Sequence, residues 1–164
     1  MNEKPAARGF GARLGLLARL AVGAMFIYLG FLKLQDPVAF LKILRIYDLF
    51  PQRAYWLMNL TVAALPWMEI ACGLLLILGV AVRGTALLML LLLAGFTFAI
   101  YSRAGVLQAE QQISFCSIAF DCGCGTGVVN ACGKLTENGA LMLACVLSIA
   151  VGARRYCLLG RPGA

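Results

Sequence analysis

The sequence predicts an all-α membrane protein: a four-transmembrane-helix bundle with a short interfacial helix and a Cys/Gly-rich extracytoplasmic loop. Three observations lead there. Apolar residues make up 62% of the 164 and charged residues only 13%, a balance foreign to soluble domains. The apolar residues gather into runs approaching the ~20 residues that a helix needs to cross a bilayer. Those runs lack the period-two alternation of barrel strands, and a helix satisfies its own backbone polar groups in lipid.

The runs place spans at about residues 14–34, 55–82, 84–101 and 138–153, all within one domain of residues 1–164. The fourth is short for a full crossing. The N-terminal stretch carries positive charge before an apolar run, as a signal sequence does, but "MFIYLGF" stays apolar where a cleavage region belongs. It therefore reads as an uncleaved first span. Between spans one and two, Lys42, Arg45 and Asp48 recur every third residue while Phe40, Ile43, Leu44, Tyr47 and Phe50 fill the other positions. Bounded by Pro37 and Pro51, this pattern suits a short helix lying in the membrane interface.

The net charge of +7 would point to nucleic acid in a soluble protein. Here the basic residues flank the apolar runs, which is the distribution that sets membrane orientation, so no nucleic-acid partner is expected. With a cytoplasmic N-terminus the inside holds Lys4, Arg8, Arg13, Arg19, Arg83, Arg154, Arg155 and Arg161, and the outside Lys33, Lys42, Arg45, Arg53, Arg103 and Lys134. The excess inside favours both termini cytoplasmic in a bacterial inner membrane, with the loop of residues 102–137 periplasmic or extracellular. Arg19, near the inner end of span one, is expected to snorkel, and Tyr55 and Trp56 to anchor the outer interface.

The chain has no histidine. Histidine-ligated haem, His-containing zinc sites and histidine proton relays are thereby excluded within it. Chemistry falls to Cys, carboxylates, Tyr, Lys and Arg.

The loop holds Cys116, Cys122, Cys124 and Cys132, with glycines at 123, 125, 127 and 133. Glycine permits the sharp turns that bring sulfurs together. Four cysteines allow three pairings, among which sequence does not choose. Cys122-Gly-Cys124 closes a small ring only with strain, and strained, exposed disulfides are the exchangeable kind. Cys122 and Cys124 are therefore the candidate catalytic pair, with Cys116 and Cys132 assisting or stapling. Purely structural disulfides and a thiolate metal site are the competing readings, and the spacing C-x5-C-x-C-x7-C matches neither zinc ribbons nor the usual ferredoxin patterns, so no metal is assigned. Cys72, Cys145 and Cys157 lie in or near the spans, as small apolar residues or as members of a thiol relay to the inner face.

Glu69 lies inside span two, where a charged side chain is costly by a few kcal/mol even on lenient scales (~2.5–3.5). It must be protonated, paired or turned into the bundle, with Lys33, Arg103 and Tyr28 as the obvious partners. Pro66 loosens the helix just before it, and Cys72 falls on the same face.

Three blocks, "GFLKLQDP" (Gly30–Pro37), "LPWMEIACGLLLILG" (Leu65–Gly79) and "DCGCG" before the last span, resemble in order and spacing the DoxX/MauE group of small four-helix membrane proteins. The second block is the most specific. The resemblance implies interest in Gly30, Lys33, Pro66, Glu69, Gly73, Cys122 and Cys124. It implies a function beside thioredoxin-like or disulfide-rich extracytoplasmic partners, as in methylamine utilisation, where this type is associated with maturing a disulfide-dense dehydrogenase subunit, or beside subunits of a membrane complex, with quinone as the cofactor that its DoxX side implies. The family commonly reads Cys-Gly-Cys-Phe-Gly, whereas Gly125, Thr126 and Gly127 follow Cys124 here and Cys116 and Cys132 are additional. The expected function is thus a membrane thiol/disulfide redox protein, a thiol-disulfide oxidoreductase if it turns over. The alternative is a non-catalytic anchor subunit of a larger respiratory or dehydrogenase assembly, its cysteines structural.

Overall fold

A computed structural model describes residues 5–47, 50–123, 125 and 127–151. Five helices dominate: α1 (Pro5–Gln35), α2 (Pro37–Ile46), α3 (Tyr55–Leu78), α4 (Val82–Gln111) and α5 (Ala131–Val151). A two-stranded antiparallel hairpin, β1 (Ala119–Asp121) and β2 (Val128–Asn130), pairs Ala119 with Asn130, Phe120 with Val129 and Asp121 with Val128. Among the described residues, α1 from Arg13, α3 and α4 are long and apolar enough to cross a membrane. These three helices, not four, meet that standard; α5 carries Lys134, Glu137 and Asn138 in its first turns, which lowers its apolarity.

Local chemistry sets the boundaries. Asp36 separates α1 from α2: its side chain accepts the Ala39 N–H at 2.8 Å, and Pro37 opens α2 where a missing N–H costs no helical bond. The expected span 55–82 ends instead at Leu78. Gly79 takes φ +76, and Val80 N–H reaches back to the Leu75 carbonyl, a left-handed cap that glycine permits without strain. The expected loop 102–137 is shorter at both ends, because α4 continues to Gln111 and α5 begins at Ala131. The reason is a small apolar cluster: Ala104, Ile118 and Ala131 are buried together, packed by Leu107, Phe115 and Phe120. That cluster gives the polar end of α4 and the start of α5 something to fold against.

The most extensive helix interface joins α1 to α3. A Cβ on Gly23 would stand 2.8 Å from the Gly73 carbonyl oxygen, and one on Gly73 would stand 2.6 Å from that of Gly23. One heptad away, a Cβ on Gly30 would meet the Pro66 carbonyl oxygen at 2.8 Å. Small residues at these crossings let antiparallel backbones touch, the usual basis of packing where lipid offers no hydrophobic drive. The central core gathers Val22, Phe26, Cys72, Leu76, Met89, Leu93 and Cys145 from α1, α3, α4 and α5. Asn138 donates to Thr97 Oγ1 at 3.1 Å, tying α5 to α4.

The interfacial stripe holds in part. α2 buries Phe40 and Leu44 against Met58 and Leu65 of α3 and Ile43 beside Gly123, leaving Lys42 and Arg45 outward; Asp48 lies outside the described residues. Tyr55 and Trp56 are exposed, as interfacial anchors are. Arg19 differs from expectation. At 4% exposed it is turned into the bundle rather than out along the lipid face.

Candidate functional site

The end of the bundle beside α2 carries a cap built on the segment between α4 and α5. Its staple is a disulfide between Cys116 and Cys132, whose Cα atoms lie 4.9 Å apart. The bond joins the turn after α4 to the first helical residues of α5, and Ala131 N–H donates to the Ile118 carbonyl beside it. Of the three complete pairings of the four loop cysteines, only one contains this bond, and in it Cys122 belongs with Cys124. The staple also removes two thiolates from any four-cysteine metal set.

Cys122 follows β1 and is 2% exposed, packed with Leu29 of α1 and Ile100 of α4 and flanked by Tyr47, Phe120 and Val129. Beyond it the chain is shaped by glycine. Gly123, Gly125 and Gly127 take φ of +74, +81 and +77, in the left-handed region that L residues avoid. A Cβ on Gly123 would lie 2.7 Å from Ile43 Cγ2 of α2, and one on Gly125 would lie 2.6 Å from Leu32 Cβ of α1. The loop is therefore pressed onto the α1–α2 corner. Gly133 sits in α5 with open space around it, so nothing there requires glycine. Asp121 accepts the Gly123 N–H at 3.0 Å and turns the chain out of β1.

Under this corner lies the intramembrane ion pair. Lys33 Nζ stands 2.8 Å from both Oε1 and Oε2 of Glu69, and the two residues are 3% and 2% exposed. Of the three partners proposed from sequence, Lys33 is the one that meets the carboxylate; Tyr28 is exposed. The Lys33 ammonium also lies 5.7 Å from the Phe40 ring centre and 5.3 Å from that of Phe96, within cation–π range. Gly30, one turn before Lys33, allows α1 to approach Pro66 and Glu69 closely enough to make the pair.

The loop and Lys33 line a cleft of about 240 Å³. Leu32, Lys33 and Gln35 of α1 form one wall, Ala39, Phe40 and Ile43 of α2 another, and Asp121, Gly123, Gly125 and Gly127 the roof. Lys33 lines this cleft and Glu69 does not, so the positive end of the pair faces the loop. A second, much smaller crevice is walled by Phe40, Ile43, Leu44, Tyr47, Phe96, Ile100 and Cys122.

The remaining candidates are distributed differently. Cys72 and Cys145 fall in the central core with no disulfide between them, a cluster separate from that of Cys122. Cys124 and Cys157 lie outside the described residues. Phe40, Phe96, Ile43 and Leu32 were not singled out from sequence as site residues. Phe40 and Ile43 belong to the recognised apolar stripe of α2, but nothing distinguishes Phe96 within an apolar span.

A helical membrane bundle with a disulfide-stapled cysteine cap seated over a buried lysine–glutamate pair defines a class of small membrane protein. The chain belongs to the MauE family: the family described as methylamine utilisation protein MauE matches residues 11–151. That match covers the ion pair, the cleft and the cysteine cap together. No curated protein and no solved structure matches the chain.

Proposed function

We propose that this protein is a membrane thiol/disulfide redox protein in which Cys122 and Cys124 are the working pair and Cys116–Cys132 is the permanent staple of their platform. The single observation that carries the reading is the Cys116–Cys132 disulfide. With those two sulfurs bonded to each other, the closely spaced pair is left to a small strained ring, the type that exchanges readily. The partner in this reading is an extracytoplasmic thioredoxin-like or disulfide-rich protein, consistent with the methylamine-utilisation description of the family. Turnover would make the protein a thiol-disulfide oxidoreductase, with a quinone or an inner relay through Cys72, Cys145 and Cys157 to complete the circuit.

The reading includes a topology. Four crossings, with α5 as the fourth, put both termini in the cytoplasm and the cap in the oxidising compartment of a bacterial inner membrane. The exchange is tested by trapping. Cys122→Ser and Cys124→Ser each leave one thiol that can hold a partner as a mixed disulfide, recovered after acid quench and alkylation. A cap whose disulfides never change state while the partner matures would remove the proposal.

A second reading draws on one observation, the 2% exposure of Cys122. A sulfur so enclosed suits a structural cap on a non-catalytic anchor of a larger respiratory or dehydrogenase complex. Co-purification with large subunits, and full activity of that complex after Cys122→Ser/Cys124→Ser replacement, would favour it.

A further inference from the structure

The cleft beneath the glycine loop carries charge that the fold leaves unanswered. Asp36, at the junction of α1 and α2, and Asp121, at the end of β1, line it from different walls, and both are exposed. Each commits one oxygen, Oδ1, to a backbone N–H, that of Ala39 at 2.8 Å and that of Gly123 at 3.0 Å. Those bonds fix where the two carboxylates stand. Among the described residues neither aspartate forms a salt bridge.

Lys33 is the one cation among the described residues that line the cleft, and it does not offset the aspartates. Glu69 holds its ammonium through both carboxylate oxygens at 2.8 Å. The pair therefore acts on the cleft as a dipole, whose field falls off faster than that of an unpaired charge. The C-terminal end of α1 and the N-terminal end of α2 meet at Asp36 with opposite partial charges, which oppose one another as well. Lys42 and Arg45 stand on the outward face of α2 and do not line the cleft, and Lys134 of α5 is buried and pairs with Glu137. The charge left at the rim is that of the two aspartates.

We propose that this cleft is the docking site for a lysine or arginine side chain of the extracytoplasmic partner polypeptide, its charge placed between Asp36 and Asp121 and its stem laid along Leu32, Phe40 and Ile43. The inference rests on the partner being a polypeptide that meets the cap, and it requires no step by any cysteine. The lining suits a long basic side chain, whose aliphatic stem covers apolar surface while its head stays at a polar rim. The volume of about 240 Å³ equals roughly eight waters at ~30 Å³ each, room for one such side chain and not for a helix or strand. A polypeptide fits better than a lipid headgroup. Gln35, Asp36 and Asp121 open the cleft to water, and the roof of Gly123, Gly125 and Gly127 has no side chains to cover its peptide groups.

The test is the binding of short cysteine-free peptides of glycine and serine, acetylated and amidated, with a central arginine, citrulline or glutamate, to the full-length protein in phosphatidylcholine nanodiscs, measured by isothermal titration. The arginine peptide should bind at least about tenfold tighter than the citrulline peptide. Raising the salt from about 0.1 to about 1 M, which shortens the Debye length from ~10 to ~3 Å, should weaken it. Asp36→Asn and Asp121→Asn remove the charge but keep an oxygen for the Ala39 and Gly123 N–H groups. Each should weaken arginine-peptide binding about tenfold with helical content and the Cys116–Cys132 bond intact. Equal affinity for the arginine and citrulline peptides, or unchanged affinity in both Asn variants, overturns the inference. Tighter binding of the glutamate peptide also overturns it, by showing that Lys33 sets the sign of the cleft. Loss of arginine-peptide binding when phosphatidylethanolamine is added to the bilayer assigns the cleft to a lipid ammonium and overturns it too. The comparison of arginine with citrulline needs no variant, so it decides the matter should a variant misfold. Because no peptide carries a thiol, each of these failures leaves the redox reading standing, whereas loop disulfides that never change state would remove that reading and leave the binding.

Discussion

Lys33 and Glu69 show how little a single residue's chemistry means without its partner. With its partner, Glu69 accepts two hydrogen bonds from an ammonium inside the bundle; without it, a carboxylate would be stranded among apolar side chains. Lys33→Ala should therefore destabilise the protein by roughly 3–5 kcal/mol, and Lys33→Met/Glu69→Leu should be close to neutral. Equilibrium unfolding in mixed detergent micelles checks both, and equal losses in the two variants would contradict the argument. Glycines divide in the same way. Gly125, at φ +81 with Leu32 Cβ 2.6 Å from where its own would lie, resists Gly125→Ala. That substitution should cost at least the ~1–2 kcal/mol of a left-handed L residue and loosen the cap, seen as faster proteolysis within residues 112–130. Gly133→Ala, in open helix, should gain up to about 1 kcal/mol.

At the scale of elements, the cap is a short hairpin with little core of its own. Two three-residue strands do not persist in water unaided, and this pair is held by the cluster of Ala104, Ile118 and Ala131 and by the Cys116–Cys132 bond. Closing a loop of this length stabilises by about 3 kcal/mol. Cys116→Ser/Cys132→Ser should therefore raise hydrogen exchange across residues 112–130 by a comparable factor, roughly a hundredfold where exchange follows local opening, while α1 and α3 keep wild-type protection. Loss of protection throughout the bundle would show the staple to be global. The α1–α3 crossing belongs to this scale too. Its glycine contacts, Gly23 with Gly73 and Gly30 with Pro66, set the close approach that brings Lys33 within reach of Glu69.

For the whole molecule, the arrangement gathers the ion pair, the cleft and the cysteine cap at one end of the bundle. If that end faces the cell exterior, an impermeant maleimide applied to intact spheroplasts after mild reduction should label Cys116 and Cys132, and a C-terminal tag should be reached only after permeabilisation. A tag accessible from outside would place an odd number of crossings in the chain and remove α5 as a span. The fold was largely legible from sequence because long apolar runs leave few alternatives in lipid. Element ends were less so. Half of the ten residues that α4 gains beyond Tyr101 are polar, and Ala104 and Leu107 among them pack with Ile118 and Ala131.

Residue type and order alone determined a histidine-free, helical, membrane-embedded chain with four of its seven cysteines between positions 116 and 132, since apolar run length and residue type are local properties. They also marked Glu69 as needing a partner, because the energetic cost of a buried charge does not depend on the fold. What only tertiary structure decided was which groups meet: Cys116 with Cys132 out of three pairings, Lys33 with Glu69 out of three candidates, and Gly125 against Leu32. Those choices depend on how helices cross and where a loop comes to rest. They are relations between separate elements, created by the close approach of α1 to α3, of α5 to the turn after α4, and of the glycine loop to α1.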